Sequence, residues 1–334
     1  MAAIQRRDHH VAGEDGIRLF VREVRPRGAA RGLPVLLLHG ARVPGVASFD
    51  LTVPGGSLAA DLAAAGHPVY ALDARGYGGS TRPPAMAEPP DGRPPLVRSS
   101  EVVHDLAAAV EWVCQRLGAP GVALLGWATG GHWAGHYATL HPRRVRALIF
   151  DNTLYGGTVG HPSLGPGTDM EDPAHPGRFN AAAYGAYRLN TAASLLPGWD
   201  RSIPLDDKAA WRDPGVADAY VAAALASDPA GAALTPPAFR APSGALEDSF
   251  YLACGRQLWD ASFVLAPTLV LRSERDFWSR PEDPVRLIEH LVHAPVARAV
   301  TLPDATHFVH LDRPERGRDR FLAEVLAFLA DAAG

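Results

Sequence analysis

Short runs of apolar residues recur along the chain, and the distances between them leave room for helices. The strongest runs cover residues 34–38, 68–72, 122–125, 145–150 and 268–271, and a weaker one covers 296–302. Runs of this kind are typical of strands that are buried on both faces in a parallel sheet. The start of the chain differs, because residues 11–13 and 17–22 flank the turn Glu14-Asp15-Gly16. The second of these segments alternates apolar and polar residues, which predicts an antiparallel hairpin.

Two longer segments have the periodicity of amphipathic helices. Residues 101–117 and 314–332 place apolar side chains at about every 3.6 positions, as a helix packed on one face requires. Strands that alternate with helices predict an α/β protein, in which a mostly parallel central sheet carries helices on both faces.

Residues 154–263 interrupt this alternation. The segment has no strand pattern; it begins as a long loop and continues with helical patches at 216–226 and 246–258. Long insertions inside a compact domain are usually functional lids or binding loops. We therefore predict a core built from residues 1–153 and 264–334, with a helical lid at 154–263.

Composition and charge narrow the range of functions. The chain has 334 residues, 47% of them hydrophobic and 20% charged, with a formal net charge of -4. These values fit a globular protein and give no sign of the basic surface that a nucleic-acid partner would need. No segment has the apolar length of a signal peptide or a membrane span, and the two cysteines, Cys114 and Cys254, form no disulfide framework. We expect a cytoplasmic protein that acts on a small molecule without a membrane or nucleic-acid partner; the oligomeric state stays open.

One segment combines a strand, a sharp turn and a helix. The strand at 122–125 leads into the pentad Gly126-Trp127-Ala128-Thr129-Gly130, and a helical pattern follows at 132–140. This order matches the Gly-x-Ser-x-Gly nucleophile elbow, in which small flanking residues allow the turn to close. The central residue here is Ala128, whose methyl group cannot attack a carbonyl. The N-terminus of the helix would still direct backbone N–H groups at a developing negative charge.

Further motifs occur in the order expected for one known family. They are His39-Gly40-Ala41-Arg42, Asp73-Ala74-Arg75-Gly76-Tyr77-Gly78-Gly79-Ser80 and Asp304-Ala305-Thr306-His307-Phe308. With the elbow, they make the chain resemble the α/β-hydrolase fold superfamily, and within it the esterase-like serine hydrolases that carry a helical lid. The resemblance covers both ends of the chain and most of the core, but the lid is not matched.

The resemblance implies roles for the first two of these motifs. The backbone N–H groups of Ala41 and Thr129 would form the oxyanion hole, which stabilises negative charge as it develops on the substrate. The motif that begins at Asp73 is expected to be structural, as an ion-paired turn that supports the loops around the site.

The catalytic acid is expected in the loop after the strand at 268–271. The segment Arg272-Ser273-Glu274-Arg275-Asp276 resembles the acid loop of the family, so Asp276 is the first candidate. Glu274 is an alternative in the same loop. Asp151 is a second alternative, because it ends an earlier strand at a position where some members carry the acid.

The catalytic base is expected near the C-terminus, after the acid in chain order. His307 is the candidate, in a segment that resembles the Gly-x-x-His-Phe of the family with Asp304 in place of the glycine. His310 is its competitor. Asp276 would orient His307 and stabilise its charged form.

Three interpretations of Ala128 are open. The first is a serine hydrolase of a carboxylic ester, lactone or thioester that is inactivated by replacement of serine with alanine; the presence of every other motif favours it. The second is a naturally serine-less lyase, isomerase or cyclase that uses His307 and Asp276 as acid and base. The third is a non-catalytic, ligand-binding member of the fold. Aspartate and cysteine nucleophiles are excluded, because position 128 is alanine. Thr129 follows the nucleophile position in the chain, so its hydroxyl would not point to the same place.

Four other residues carry weaker signals. Arg42 would meet an anionic group on the substrate or face solvent, and Trp127 would line the pocket or pack beneath the elbow. His132 and His136 share one face of a helix, but the Glu of a His-Glu-x-x-His motif is missing. We expect these two histidines to pack around the elbow, with no metal.

The predicted lid is rich in aromatic residues. It holds 12 of the 26 in the chain: Tyr155, Phe179, Tyr184, Tyr187, Trp199, Trp211, Tyr220, Phe239, Phe250, Tyr251, Trp259 and Phe263. Aromatic side chains pack lids onto cores, and they also line apolar ligand pockets. We expect a mid-sized, largely apolar substrate, and chemistry that needs no metal or organic cofactor.

Overall fold

A computed structural model describes residues 4–333. The strands in this range are β1 (Ile4–Ala12), β2 (Arg18–Pro26), β3 (Val35–Leu38), β4 (Val69–Leu72), β5 (Val122–Trp127), β6 (Val145–Asp151), β7 (Tyr187–Thr191), β8 (Ala238–Pro242), β9 (Thr268–Arg275) and β10 (Ala297–Thr306). The helices are α1 (Gly45–Phe49), α2 (Leu58–Ala64), α3 (Ser99–Leu117), α4 (Thr129–Leu140), α5 (Ala181–Tyr184), α6 (Ala192–Leu195), α7 (Pro197–Ser202), α8 (Pro214–Ala226), α9 (Pro229–Ala232), α10 (Gly244–Ala253), α11 (Glu282–His290) and α12 (Arg318–Ala333). Short 3-10 turns lie at Glu14–Gly16, Pro84–Ala87, Pro142–Arg144, Lys208–Ala210, Ala261–Phe263 and Pro314–Arg316.

Eight strands form the central sheet, in the order β1-β2-β4-β3-β5-β6-β9-β10. The strands from β4 to β10 in this order are parallel, while β1 pairs with β2 and β2 pairs with β4 in antiparallel fashion. The predicted α/β fold with a mostly parallel sheet is therefore confirmed. The predicted hairpin is also present, and its strands extend well beyond the segments that alternate in sequence.

Each inner strand contributes to two separate cores, because successive side chains of a strand point to opposite faces of the sheet. In β3, Leu36 and Leu38 join the core that also holds apolar residues of α3, α4 and α11. Val35 and Leu37 join the other core, together with residues of α1, α2 and α12. Helices therefore cover both faces, and this explains why the strands read as uninterrupted apolar runs.

The register of the parallel strands brings their carboxyl ends to one edge of the sheet. Leu38 at the end of β3 is paired with Gly126 near the end of β5, and Trp127 is paired with Asp151 at the end of β6. Asp151 is paired in turn with Leu271 of β9. In open parallel sheets the crevice beyond the carboxyl ends is where ligands bind, and all of the candidate motifs emerge there.

The segment between β6 and β9 contains an element that the sequence pattern did not predict. Strands β7 and β8 form a two-stranded antiparallel sheet, with Tyr187 paired with Pro242 and Thr191 paired with Ala238. The expectation of no strand in this segment was wrong. Each of these strands has five residues and buries an irregular mixture of positions, so neither a continuous run nor a strict alternation marks it.

Part of the segment between β6 and β9 packs around a small core of its own, while its helices α7 and α8 join one of the two main cores. This third cluster includes Leu154, Met170, Phe179 and Phe250. Within residues 4–333, no helix has the length and apolar character needed to cross a membrane. Both cysteines are free thiols.

Candidate active site

Ala128 occupies the sharp turn between β5 and α4. Its backbone angles are φ 52° and ψ -118°, a conformation that a residue with a side chain adopts only where the surrounding structure enforces it. The Ala128 N–H donates a hydrogen bond to the Asp151 carbonyl over 2.8 Å, and Gly131 N–H donates to the Ala128 carbonyl over 3.1 Å. The nucleophile-elbow backbone is therefore present although the residue at its tip is alanine.

The glycines of the elbow are required by close backbone contacts. A Cβ on Gly126 would lie 2.3 Å from the Gly131 nitrogen, and a Cβ on Gly130 would lie 2.1 Å from the Leu38 carbonyl oxygen. Both distances are far shorter than a van der Waals contact. The small residues on either side of Ala128 thus allow the turn to close against its own helix and against the end of β3.

The segments after β9 and β10 bring the predicted acid and base together. His307 Nδ1–H donates to Asp276 Oδ1 over 2.6 Å, and both side chains are buried. The other Asp276 oxygen accepts hydrogen bonds from the backbone N–H and the hydroxyl of Ser279. Burial alone would raise the pKa of Asp276, but the charge of His307 and the hydrogen bonds from His307, Ser279 and Trp278 outweigh burial and lower it. Asp276 is thus held as a carboxylate beside His307.

The backbone of His307 is fixed by two side chains from neighbouring strands. Trp127 Nε1–H and Asn152 Nδ2–H both donate to the His307 carbonyl, over 2.9 and 3.2 Å. Asn152 also accepts from Ser273 N–H over 2.7 Å, so one side chain joins the ends of β6 and β9 to the histidine loop. Asn152 was not predicted from the sequence. Asn152 directly follows β6 and has a positive φ of 51°. This backbone angle marks it as an unusual residue, but the angle cannot be read from the sequence.

The alternative acids lie in different surroundings. Glu274 is exposed and accepts a hydrogen bond from the Asp304 N–H over 2.8 Å. Asp151 is buried, and neither of its carboxylate oxygens has a hydrogen-bond partner within residues 4–333. Burial and the nearby charge of Asp276 raise the pKa of Asp151 well above its usual value, which favours the neutral acid. Neither side chain is hydrogen-bonded to His307.

His310, the alternative base, lies behind the site. Its Nδ1 is 3.8 Å from Asp151, its ring packs 4.7 Å from the Trp127 ring between centroids, and it is fully buried. Burial lowers the pKa of His310 to about 3, so the ring is neutral. It does not line the cavity beside Ala128, whereas His307 does.

The two candidate oxyanion donors are the backbone N–H groups of Ala41, which lines the cavity, and of Thr129, which follows Ala128 in the chain. Thr129 is the first residue of α4, and neither its N–H nor that of Ala41 donates a hydrogen bond to another residue within 4–333. The Ala41 carbonyl is anchored from the opposite side, because Tyr77 Oη–H and Arg188 Nη2–H donate to it over 3.0 and 3.1 Å. The loop is therefore held in place while its N–H group stays free for a ligand.

His39 supports the same loop from below. Its Nδ1–H donates to the Gly40 carbonyl over 2.7 Å, and Ala74 N–H donates to Nε2 over 3.2 Å. An imidazole that donates from one nitrogen and accepts at the other must be neutral. Burial lowers the pKa of His39 to about 4, although the hydrogen bond to Gly40 acts in the opposite direction.

His39 predicts a defined loss of stability in acid. Unfolded histidine takes up a proton below about pH 6.5, whereas folded His39 does so only near pH 4. Protons therefore bind the unfolded chain first, and stability is lost as the pH falls through this window. Urea unfolding at pH 7 and pH 4 should show that the protein loses up to about 3 kcal/mol more than a His39→Gln variant, which has no group to titrate there. Equal losses in the two proteins would show that His39 is not held neutral.

A cavity of about 250 Å³ opens above the elbow. Ala128 and His307 both contribute to its wall. The full lining is Gly40, Ala41, Arg42, Val43, Trp127, Ala128, Arg188, Ser194, Pro197, Gly198, Arg201, Tyr220, Leu246, Phe277, Trp278, His307 and Phe308. The candidate nucleophile position, base and oxyanion loop thus face one space large enough for a small organic ligand.

The sequence matches one family model over most of its length. The model described as the alpha/beta hydrolase fold matches residues 34–314, which is more than half of the chain. The chain belongs to the α/β-hydrolase fold family. No curated protein sequence gives a significant match.

Solved structures of several α/β hydrolases are similar over nearly the whole chain. A thermophilic esterase from Thermogutta terrifontis is 20% identical, with 99% of this chain and 100% of that chain covered and a TM-score of 0.57. A thioesterase domain from the curacin biosynthetic pathway is 15% identical, with 98% and 99% covered and a TM-score of 0.58. A meta-cleavage product hydrolase from Pseudomonas fluorescens, in a serine-to-alanine mutant complexed with acetates, is 17% identical, with 97% and 98% covered and a TM-score of 0.58. At these identities the similarity shows the fold.

The motif that begins at Asp73 supports the loops around the cavity through hydrogen bonds and an ion pair. Asp73 accepts hydrogen bonds from the N–H groups of Gly45 and Gly79 over 2.7 and 2.9 Å, and Arg75 is ion-paired with Asp105 over 2.7 Å. None of these side chains lines the cavity. They tie the loop after β4 to α1 and α3.

The one departure from the family motif near the base has a structural reason. Asp304 stands where the family has glycine, and its φ of 56° lies in the left-handed region that favours glycine. Aspartate tolerates this region better than most residues. The Asp304 carboxylate is ion-paired with Arg275 over 2.6 Å, which stabilises the turn before His307.

The two predicted substrate-binding residues have different surroundings. Trp127 lines the cavity with its ring 5.0 Å from the ring of His307, between centroids. Arg42 also lines the cavity, but its guanidinium donates to the carbonyls of Ser194 and Leu195 over 2.8 and 3.3 Å. Arg42 therefore joins the oxyanion loop to the inserted segment, and it does not face bulk solvent alone.

The aromatic residues of the inserted segment mostly pack elsewhere. Of the twelve, Tyr220 is the one in the cavity lining, while Trp199 stacks on Phe308 with ring centroids 4.7 Å apart. The aromatic part of the wall comes mainly from the core, through Trp127, Phe277, Trp278 and Phe308.

The two helix histidines serve packing. Trp259 Nε1–H donates to His132 Nδ1 over 2.9 Å, and the ring centroids of His132 and His136 lie 6.4 Å apart. Among residues 4–333, no group of three or more His, Cys, Asp or Glu side chains is placed to bind a metal ion.

Proposed function

We propose that the site is that of a serine hydrolase whose nucleophile position is occupied by Ala128, and that its chemistry is hydrolysis of a carboxylic ester, lactone or thioester bond. One observation carries the proposal. His307 is hydrogen-bonded to Asp276 at Nδ1 and shares a cavity wall with Ala128, so a candidate base and its candidate acid lie beside a residue that cannot react. The esterase and thioesterase among the structural neighbours are consistent with this reaction class.

The mechanism follows from the positions of these groups. With serine at position 128, the hydroxyl would attack the substrate carbonyl while His307 Nε2 takes its proton. Asp276 would hold the imidazole in the required tautomer and stabilise the charged form. The N–H groups of Ala41 and Thr129 would donate to the oxyanion of the tetrahedral intermediate. His307 would then give the proton to the leaving group, and water would release the acyl group by the same route.

Residues 154–263 would act as the lid in this proposal. The segment supplies Arg188, Ser194 and Tyr220 to the cavity wall, and Arg42 connects it to the oxyanion loop. A substrate held under such a segment would be shielded from water during acyl transfer.

The bond class is tested with an Ala128→Ser variant and one acyl group in four linkages. Butanoate presented as an aryl ester, a thioester and an anilide, together with a butyrolactone, keeps the acyl part small enough for the cavity. We expect hydrolysis of the ester, thioester or lactone by the variant and none by the chain with Ala128. Turnover of the anilide alone would contradict the proposed bond class.

A further inference from the structure

The cavity wall carries an excess of positive charge. Three arginines, Arg42, Arg188 and Arg201, contribute to the lining, and no aspartate or glutamate of the described range 4–333 does. Several other arginines with little solvent contact in the described part of the chain are ion-paired, as Arg240 with Asp228 and Arg280 with Asp283, each over 2.7 Å. Within residues 4–333, the cavity arginines lack such a carboxylate.

Arg188 is the most unusual of the three. Its hydrogen bond to a protein group is donated by Nη2 to the Ala41 carbonyl over 3.1 Å. The Nε–H is buried and has no partner within residues 4–333. Burial, together with the nearby charge of Arg42, lowers the pKa of Arg188 to about 10. Even so, the guanidinium is charged at neutral pH.

Arg188 is partly buried, and a cation with restricted access to water and no counterion is energetically unfavourable. A charged group that leaves water needs a partner of opposite charge or a full set of hydrogen bonds. Among residues 4–333 Arg188 finds neither, and a second guanidinium lies nearby. An anion that enters the cavity would remove this cost, so the site is arranged to gain free energy from binding a negatively charged group.

The shape of the free donors favours a carboxylate. With one N–H of Nη2 engaged by Ala41, N–H groups on Nη1 and Nη2 remain for a ligand. Donors in this planar arrangement match the two oxygens of a carboxylate, and charge-assisted bonds of this type are among the strongest in proteins.

Arg188 also lies next to the reacting centre. The residue whose carbonyl it holds, Ala41, supplies a candidate oxyanion N–H from its other end. The N–H and the carbonyl of Ala41 belong to the same residue and are therefore close together. A carboxylate bound by Arg188 would lie a few covalent bonds from a substrate carbonyl held by the Ala41 N–H.

We propose that Arg188 binds a carboxylate of the substrate, so that the preferred substrate is an ester-type compound with a free carboxylate a few bonds from the scissile carbonyl. The inference rests on the proposed function for the reaction, but the binding step can be measured without it. It changes the expected substrate from a largely apolar one to one with an apolar part against the aromatic wall and an anionic end at Arg188.

Binding is tested on the chain with Ala128, which leaves an ester intact. The probes are monobenzyl succinate and its neutral analogue benzyl methyl succinate, titrated calorimetrically into the protein and into Arg188→Gln, Arg188→Lys and Arg146→Gln variants. Arg146 is an exposed arginine outside the cavity and serves as the matched control. We expect the anionic ester to bind about 10- to 100-fold more tightly than the neutral one, as for a charge-assisted bond. The preference should vanish in Arg188→Gln, be reduced in Arg188→Lys, which keeps the charge but not the planar pair of donors, and persist in Arg146→Gln.

The ratio of the affinities for the anionic and the neutral ester distinguishes two roles of Arg188. One is recognition of the carboxylate, and the other is support of the oxyanion loop through the hydrogen bond to Ala41. Loss of the hydrogen bond to Ala41 would weaken binding of both esters alike, so it leaves the ratio unchanged. If Arg188→Gln does not fold, an Arg188→Met variant, which keeps much of the side-chain length and removes the charge, takes its place in the comparison. Equal affinity for the two esters, or a preference that survives Arg188→Gln, would overturn the inference. Tighter binding of benzyl phosphate than of monobenzyl succinate would overturn the assignment to a carboxylate.

An Ala128→Ser variant distinguishes failure of this inference from failure of the proposed function. Hydrolysis of both succinate esters at equal kcat/KM would leave the function standing and overturn the anion preference. A preference in binding that depends on Arg188, without hydrolysis of either ester by Ala128→Ser, would support the anion site and contradict the proposed reaction.

Discussion

Replacing Ala128 by serine is expected to raise kcat for an aryl ester by about 10⁴-fold or more over the chain with alanine. Loss of the serine from an intact triad has cost about 10⁶-fold in kcat in a well-studied serine protease, and the same parts surround Ala128. The backbone at position 128 already has φ 52° and ψ -118°, so the substitution adds one oxygen atom without a change of fold. Initial rates with p-nitrophenyl butanoate measure the gain.

An Ala128→Gly variant is the matched control for this gain, because glycine accepts the same backbone angles and supplies no nucleophile. It should remain as inactive as the chain with alanine. If Ala128→Ser is inert while the unaltered chain converts a substrate through His307, the site is an acid/base centre of a lyase or isomerase. That outcome would replace the proposed function.

Replacing Asp276 by asparagine in the Ala128→Ser variant is expected to lower kcat by about 10⁴-fold, as in proteases where the triad carboxylate is lost. Asparagine preserves the size of the side chain but removes the charge that sets the tautomer of His307. The protein should fold, because Ser279 can still donate to the remaining carbonyl oxygen. The rate is measured across a range of pH. Loss of the carboxylate changes the shape of the pH profile, whereas loss of folded protein lowers the rate by the same factor at every pH.

Glu274→Gln in the same variant is the control for the acid assignment. Glu274 lies in the same loop, is exposed and contacts the Asp304 N–H instead of His307. We expect it to change the rate little. A large loss in Glu274→Gln, or in Asp151→Asn with Asp276→Asn unaffected, would assign the acid to a different residue.

The sheet could be predicted from the sequence because its inner strands are buried on both faces. That burial leaves a continuous apolar run, as in 35–38 and 122–125. Strands β7 and β8 lie in the inserted segment, where burial is irregular and charged residues such as Arg188 enter the strand. The local pattern of apolar and polar residues does not predict a strand there, because the strands form by pairing with each other.

The candidate site could be predicted as far as it depends on local motifs. Ala128, His307 and Asp276 each follow a strand within a short recognisable segment, and the fold brings them together. Asn152 and Arg188 were not predicted. Each acts through a partner more than a hundred residues away, as Asn152 through His307 and Arg188 through Ala41.

At Ala128 the backbone has the conformation of a nucleophile elbow, but the side chain is a methyl group that cannot act as a nucleophile. The positive-φ turn at position 128 has a conformational cost of order 1–3 kcal/mol, and in a serine hydrolase such a turn exposes the nucleophile. Here the turn is retained without a nucleophile. Hydrogen bonds to Asp151 and Gly131 fix the backbone of Ala128, and the glycines at 126 and 130 permit the close contacts of the turn, so the elbow forms without a nucleophile at its tip.

Covalent labelling with a fluorophosphonate tests the central claim most directly, because it reports a nucleophile activated by His307 whatever the natural substrate is. The reagent reacts with the hydroxyl of an activated serine and releases fluoride, and intact-mass spectrometry detects the phosphonylated protein. We predict a single adduct, located at position 128, in Ala128→Ser, and none in the unaltered chain or in Ala128→Ser combined with His307→Ala. A well-folded Ala128→Ser protein that takes up no label would contradict the account.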